Sequence, residues 1–77
     1  MTMQATILRV ERDGLLVFEH NRAQRVWVHT SDARRFHVGN YVCIRYSGIM
    51  TMSIPPQISA ESISIIPRFG RRGNSCR

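Results

Sequence analysis

The chain has 77 residues, of which 43% are hydrophobic and 21% are charged. This length suits one domain and excludes two, and the apolar content is too high for an intrinsically disordered chain. No stretch reaches the roughly 18 apolar residues of a membrane-spanning helix. The first residues lack the basic start and apolar core of a signal peptide. As given, the sequence predicts a cytoplasmic protein, and an exported form whose leader has been removed is the alternative.

The formal net charge of +6 is unevenly distributed along the chain. Residues 1–65 contain seven Arg and five acidic residues, whereas residues 66–77 contain four Arg and no acidic residue. Every cation is Arg, and the chain has no Lys. Because most of the excess charge belongs to the C-terminal residues, the high isoelectric point is weak evidence for a nucleic-acid-binding surface on the rest of the domain.

Three strands are predicted in the first half of the chain. Residues 3–11 alternate, with Thr6, Leu8 and Val10 on one face and Ala5, Ile7 and Arg9 on the other. The turn dipeptide Asp13-Gly14 leads into residues 15–18, which are apolar on both faces and therefore favour a central strand. Residues 25–30 alternate as well, with Val26 and Val28 inward and Arg25, Trp27 and His29 on the opposite face.

The second half predicts one helical turn and two more strands. Residues 33–36 follow polar residues that favour helix initiation, and they allow a single turn. A fourth strand over residues 41–46 has Val42, Ile44 and Tyr46 on one face and Tyr41, Cys43 and Arg45 on the other. Pro55-Pro56 marks a connection, because proline cannot donate to a central ladder. Residues 58–66 form the fifth predicted strand, with Ile63 and Ile65 on one face.

Together these elements predict an all-β protein with at most one helical turn. Five short strands separated by turns favour a small OB-like barrel, closed or partly open, over residues 1–66. An SH3-like barrel is the structural alternative. Residues 67–77 have no periodicity and predict a basic, disordered C-terminal tail.

A resemblance rests on two stretches, Val38-Gly39-Asn40-Tyr41-Val42-Cys43-Ile44-Arg45-Tyr46-Ser47-Gly48 and Ser53-Ile54-Pro55-Pro56-Gln57-Ile58-Ser59-Ala60, together with the Trp27-Val28 pair. The chain resembles a group of small bacterial domains of unknown function that includes the YobA-type lipoproteins. The match covers roughly residues 5–66, and its motifs are short and mostly structural. Asn40 replaces the acidic residue usual at the turn, and both residue types accept turn geometry. The resemblance implies an OB-like barrel and no established activity.

The sequence offers little material for metal binding or catalysis. Metal ligands would have to come from His20, His29, His37 and Cys43. Their spacing contains no close pair of the kind that zinc sites use. No nucleophile elbow, phosphate loop or suitably spaced acid pair is present. We therefore predict no enzyme activity, no catalytic residue, no metal and no cofactor. Whether Cys43 and Cys76 pair stays open, since their spacing is not that of a disulfide framework.

One binding hypothesis is single-stranded nucleic acid. OB folds bind it by stacking bases on aromatic side chains of a basic groove. The candidate binding face consists of Arg25, Trp27, His29, Tyr41 and Arg45, provided that the third and fourth strands are neighbours. Arg68, Arg71 and Arg72 of the tail are candidate phosphate contacts. The competing interpretation is that Trp27 simply covers an open end of the core.

The other hypothesis is a protein partner, or a second copy of the chain paired through an exposed edge strand. Met50, Met52 and Ile54 form an apolar loop, and flexible methionine suits a binding surface. The alternative, that both methionines plug the end of the barrel, is favoured. We predict a non-catalytic interaction domain for protein–protein contact or self-association, with single-stranded nucleic-acid binding as the alternative.

Overall fold

The structure, a computed structural model, describes residues 1–67. These residues form five strands and one short helical turn. The strands are β1 (Thr2–Val10), β2 (Gly14–Glu19), β3 (Gln24–His29), β4 (Tyr41–Tyr46) and β5 (Gln57–Ile65), with a 3-10 turn at Ala33–Arg35 between β3 and β4. The predicted all-β class and the single helical turn are confirmed. No helix within residues 1–67 is long and apolar enough to cross a membrane.

The strands close into a barrel in the order β1-β2-β3-β5-β4. β1 pairs antiparallel with both β2 and β4, and β3 and β5 form the parallel pair. This connectivity is that of a small OB-type barrel, as the strand pattern predicts. β5 therefore lies between β3 and β4, so the third and fourth strands are not neighbours.

One alternating face of each strand fills the barrel. Ile7, Leu15, Val17, Val26, Val28, Val42 and Ile44 are completely buried. Ala33 and Phe36, at either end of the helical turn, are buried against the same core. The inward positions predicted for Val26 and Val28 are confirmed, because a half-buried sheet alternates with a period of two.

A β-bulge interrupts the alternation predicted for β1. Ile7 is opposite Val17 and Arg9 is opposite Leu16, so Leu8 is an extra residue without a partner on β2. Ile7 is buried, whereas Arg9 is exposed. The expectation that Arg9 shares the face of Ile7 is therefore wrong, because one inserted residue moves every later side chain to the opposite face. Arg9 is thereby placed on the outer surface beside β2.

Candidate binding groove

The structure separates the five predicted surface residues into two groups. Arg25, Trp27 and His29 project from the outer face of β3, with Arg25 and His29 exposed and Trp27 half-buried. Tyr41 and Arg45 lie on β4, on the far side of β5. The condition for one continuous face is not met, and of the five residues only Arg25 and Trp27 line one groove.

Tyr41 belongs to a separate cluster on the opposite side of the barrel. Its hydroxyl donates a hydrogen bond to Gln4 Oε1 at 2.7 Å. The His20 ring lies edge-on to Tyr41 at 5.4 Å between centroids, and its Nε2 is 2.8 Å from Thr6 Oγ1. Tyr41 is therefore held by Gln4 on β1 and by His20, which follows β2, and it does not approach Trp27.

Trp27 rests on a glycine of the neighbouring strand. A Cβ atom added to Gly14 would stand 2.6 Å from Cζ2 of the indole and 2.5 Å from the Val28 carbonyl oxygen. The His29 ring meets the indole edge-on at 6.1 Å, and His29 Nε2 donates to Gln57 Oε1 at 2.8 Å. The indole therefore packs against Gly14 on the neighbouring strand. On another side it contacts the His29 ring, which the hydrogen bond to Gln57 holds in place.

Beside Trp27 lies a groove of about 700 Å³. It runs between the outer face of β2 and β3 and the segment that precedes β5. Its lining consists of Arg9, Leu16, Gln24, Arg25, Trp27, Ser53, Ile54, Pro55 and Pro56. We call this surface the Trp27 groove. It combines apolar walls with a few polar groups, the usual character of a binding site.

The outer wall of the groove is a short loop closed by its own hydrogen bonds. The Thr51 amide donates to the Gln57 carbonyl at 3.0 Å, and the Gln57 amide donates to Thr51 Oγ1 at 3.0 Å. Ser53 Oγ lies 2.7 Å from Thr51 Oγ1 and donates to the Pro55 carbonyl at 2.9 Å. The Ile54–Pro55 peptide bond is cis. These contacts hold residues 51–57 in one arrangement.

The loop displays apolar side chains to solvent. Met52 is 95% exposed and Ile54 is 97% exposed, and Ile49 is also exposed. Met50 is different, since it is half-buried and packs against the core. The expectation that both methionines plug the barrel is therefore wrong for Met52, because the loop turns outward after Met50.

The charge on the groove is entirely positive. Its two ionisable lining residues are Arg9 and Arg25, and no acidic residue lines it. Arg9 Nε forms an ion pair with Glu11 at 2.8 Å. Within residues 1–67, Arg25 has no ion-pair partner. Arg25 is therefore the cation available to a ligand at this site.

Sequence patterns identify part of the groove and miss the rest. The alternation of β3 identifies Arg25 and Trp27. For Leu16, the sequence indicates only an apolar residue of a central strand and not its place in the groove. Arg9 lines the groove because the bulge at Leu8 turns its side chain outward, which the sequence does not predict. The Asp13-Gly14 dipeptide indicates a turn, whereas the contact of Gly14 with Trp27 depends on the pairing of β2 with β3.

The predicted metal ligands do not converge on a site. Within residues 1–67, no three His, Cys, Asp or Glu side chains converge as metal ligands would. Arg68, Arg71, Arg72 and Cys76 lie outside the described residues. The absence of catalysis, metals and cofactors stays a prediction.

Comparison with protein-family models, curated proteins and solved structures gives no match. The resemblance to the YobA-type domains therefore stays a prediction that rests on the sequence motifs alone.

Proposed function

We propose that the chain is a non-catalytic protein-binding domain that receives an apolar side chain of its partner in the Trp27 groove. The observation that carries this proposal is the pairing of half-buried Trp27 with the almost fully exposed Ile54 across a preformed groove. Burying apolar surface contributes about 25 cal/mol per Å². An exposed isoleucine and tryptophan on either side of a groove therefore provide affinity for an apolar ligand group.

The position of the groove on the barrel supports the same proposal. In OB-type barrels in general, ligands bind across strands two and three and the loops after strands one and four. Here Leu16 and Trp27 are on β2 and β3, and residues 53–56 belong to the connection between β4 and β5. This support is an analogy at the level of the fold, and such barrels take many kinds of ligand.

The wall chemistry favours protein over nucleic acid. Stacking of bases needs an accessible aromatic face, and half-buried Trp27 has Gly14 against part of its indole, so at most one ring face is open to a base. The opposite wall is Ile54 with two prolines, which offer no aromatic surface and no backbone N–H. Aliphatic side chains of a protein segment fit these walls better than bases do.

The proposal is tested by selecting binders from an unbiased library of short peptides and measuring their affinities. We expect Ile54→Ser and Trp27→Ala to weaken binding at least tenfold, since each removes about 1.5–3 kcal/mol of apolar contact when fully engaged. Val38→Ser is the matched control, because Val38 is an exposed apolar residue outside the groove lining. Selected peptides that bind the Ile54 and Trp27 variants as well as the parent chain would contradict the proposal.

Single-stranded nucleic acid is the second candidate, favoured by Arg25 beside Trp27 and by Arg9, which also lines the groove. A labelled mixed-sequence oligonucleotide, titrated at low and high salt, separates the two. Binding that weakens with salt and is lost in Trp27→Ala would replace the protein-binding proposal. Binding that survives Trp27→Ala but disappears on removal of residues 68–77 would reflect only the cationic terminus.

A further inference from the structure

The backbone of β3 faces the Trp27 groove at Arg25. The Trp27 amide donates to the Pro56 carbonyl at 2.9 Å, so it points away from β2 and toward β5. Alternate residues of a strand direct their N–H and C=O groups to the same side. Arg25 therefore also directs its backbone groups away from β2. The ladder between β3 and β5 begins only at Trp27 and Gln57, which leaves Arg25 before its start.

The loop opposite Arg25 does not complete this ladder. Pro55 and Pro56 have no N–H to donate. Their carbonyls already accept hydrogen bonds, from Ser53 Oγ to Pro55 and from the Trp27 amide to Pro56. The gap between β3 and the loop is the groove itself. A short length of the β3 edge is thus open beside the groove.

The unpaired N–H and C=O groups of such an edge can form hydrogen bonds with the backbone of an extended peptide. Alternate side chains of that peptide then enter pockets beside the edge. The groove provides an apolar pocket between Trp27 and Ile54 and the cation of Arg25, with no acidic lining residue, whereas Arg9 is paired with Glu11. Charge complementarity therefore selects acidic residues two positions from the apolar residue, because only alternate residues of a strand share a face.

Resting on the proposed function, we infer that the partner presents an extended acidic segment that pairs with the β3 backbone at Arg25. One apolar side chain of this segment lies between Trp27 and Ile54, and a carboxylate two residues away faces Arg25. Neither the chain's own C-terminal residues nor a second copy fits equally well. Residues 68–77 carry four Arg and no acidic residue, and the whole chain has a net charge of +6.

The probe is a short synthetic peptide with a central valine, a glutamate two positions away on either side and serine elsewhere, so that the valine and both glutamates share one face of a strand. It is titrated against the full chain with a label on the peptide. Two matched peptides serve as controls. One replaces every glutamate with lysine, and the other carries N-methyl groups at alternate residues, which remove backbone donors without changing charge. We expect no saturable binding of the lysine peptide. N-methylation should weaken binding about three- to tenfold for one lost backbone hydrogen bond.

Two variants separate the backbone of Arg25 from its charge. Arg25→Ala keeps the N–H and removes the cation, so the glutamate peptide should bind more weakly and with a shallower dependence on salt. Arg25→Pro also removes the N–H, and proline is tolerated at an edge position where that N–H has no ladder partner. We expect Arg25→Pro to bind at least threefold more weakly than Arg25→Ala. Thermal unfolding monitors the fold, and the N-methyl peptide tests the backbone contact independently of both variants.

The outcomes distinguish this inference from the function on which it rests. Equal affinity for the parent and N-methyl peptides would overturn strand pairing at Arg25, and equal affinity for the lysine peptide would overturn the acidic partner. If the glutamate peptide does not bind while library peptides bind through Trp27 and Ile54, the inference fails and the proposed function stands. If no peptide binds through those residues, both fail.

Discussion

The indole of Trp27 can lie against the barrel because residue 14 has no side chain. Gly14 has an ordinary backbone conformation, so its importance comes from close approach rather than from φ. Gly39 presents the opposite case, with φ at +93° and no atom within 4 Å of an added Cβ. The two glycines are therefore required for different physical reasons, and their substitutions should have different consequences.

We predict that Gly14→Ala destabilises the fold by about 1–3 kcal/mol, since the new methyl group overlaps a backbone oxygen and the indole. The same change should displace Trp27 and shift its fluorescence emission. Gly39→Ala should cost about 1–3 kcal/mol through its positive φ and leave the emission unchanged. Urea unfolding and emission spectra of both variants check this. An unaltered Trp27 spectrum in Gly14→Ala would show that the indole does not rest on residue 14.

At the scale of single elements, the sequence predicts β3 well and β1 only in part. Strict alternation around Trp27 is enough to place Val26 and Val28 inside. Leucine at position 8 does not indicate a bulge. The outward orientation of the Arg9 side chain is therefore known only from the register of β1 with β2. A second bulge lies in β5, where Arg45 is opposite Ser62 and Tyr46 is opposite Ala60, leaving Glu61 without a partner. Bulges depend on long-range pairing, which local patterns do not contain.

The loop over residues 51–57 gives a prediction at the element scale. Thr51→Val removes the hydroxyl that accepts from the Gln57 amide and contacts Ser53. We expect amide hydrogen exchange at Gln57 to accelerate about two- to tenfold. Affinity for groove ligands should fall because the loop is no longer held in its binding arrangement.

Thr51→Ser is the matched control for this loop, since it keeps the hydroxyl and removes only a methyl group. It should preserve both the protection of the Gln57 amide and ligand affinity. Equal exchange rates in the valine and serine variants would mean that the hydroxyl does not hold the loop. Peptide affinity unchanged in Thr51→Val would mean that the groove does not need a fixed wall.

For the whole molecule, the barrel class follows from five strands and their turns, but the arrangement of the surface does not. Placing Tyr41 and Arg45 beside Trp27 requires β3 and β4 to be adjacent, and the barrel inserts β5 between them. The parallel pairing of β3 with β5 is short, covering three residue pairs from Trp27 to His29. Because this pairing begins only at Trp27, the groove can form between the earlier part of β3 and the segment that precedes β5. This arrangement follows from the strand order of the barrel and not from any local sequence pattern.

The closed barrel also concentrates the candidate interaction surface at one place. Elsewhere in residues 1–67, every strand is paired with two neighbours over part or all of its length, so edge-to-edge association has little backbone to use. The Trp27 groove combines an open stretch of backbone, an apolar wall and an available cation.

The most direct test of this account is an amide chemical-shift map of the labelled full chain, titrated with a peptide selected from the unbiased library. We predict that the largest shifts occur in the groove, at Leu16, Arg25, Trp27 and Ile54. The cluster on the opposite side of the barrel, formed by Thr6, His20 and Tyr41, should change little. A map centred on Thr6, His20 and Tyr41, with the groove residues unmoved, would contradict the assignment of the Trp27 groove as the binding site.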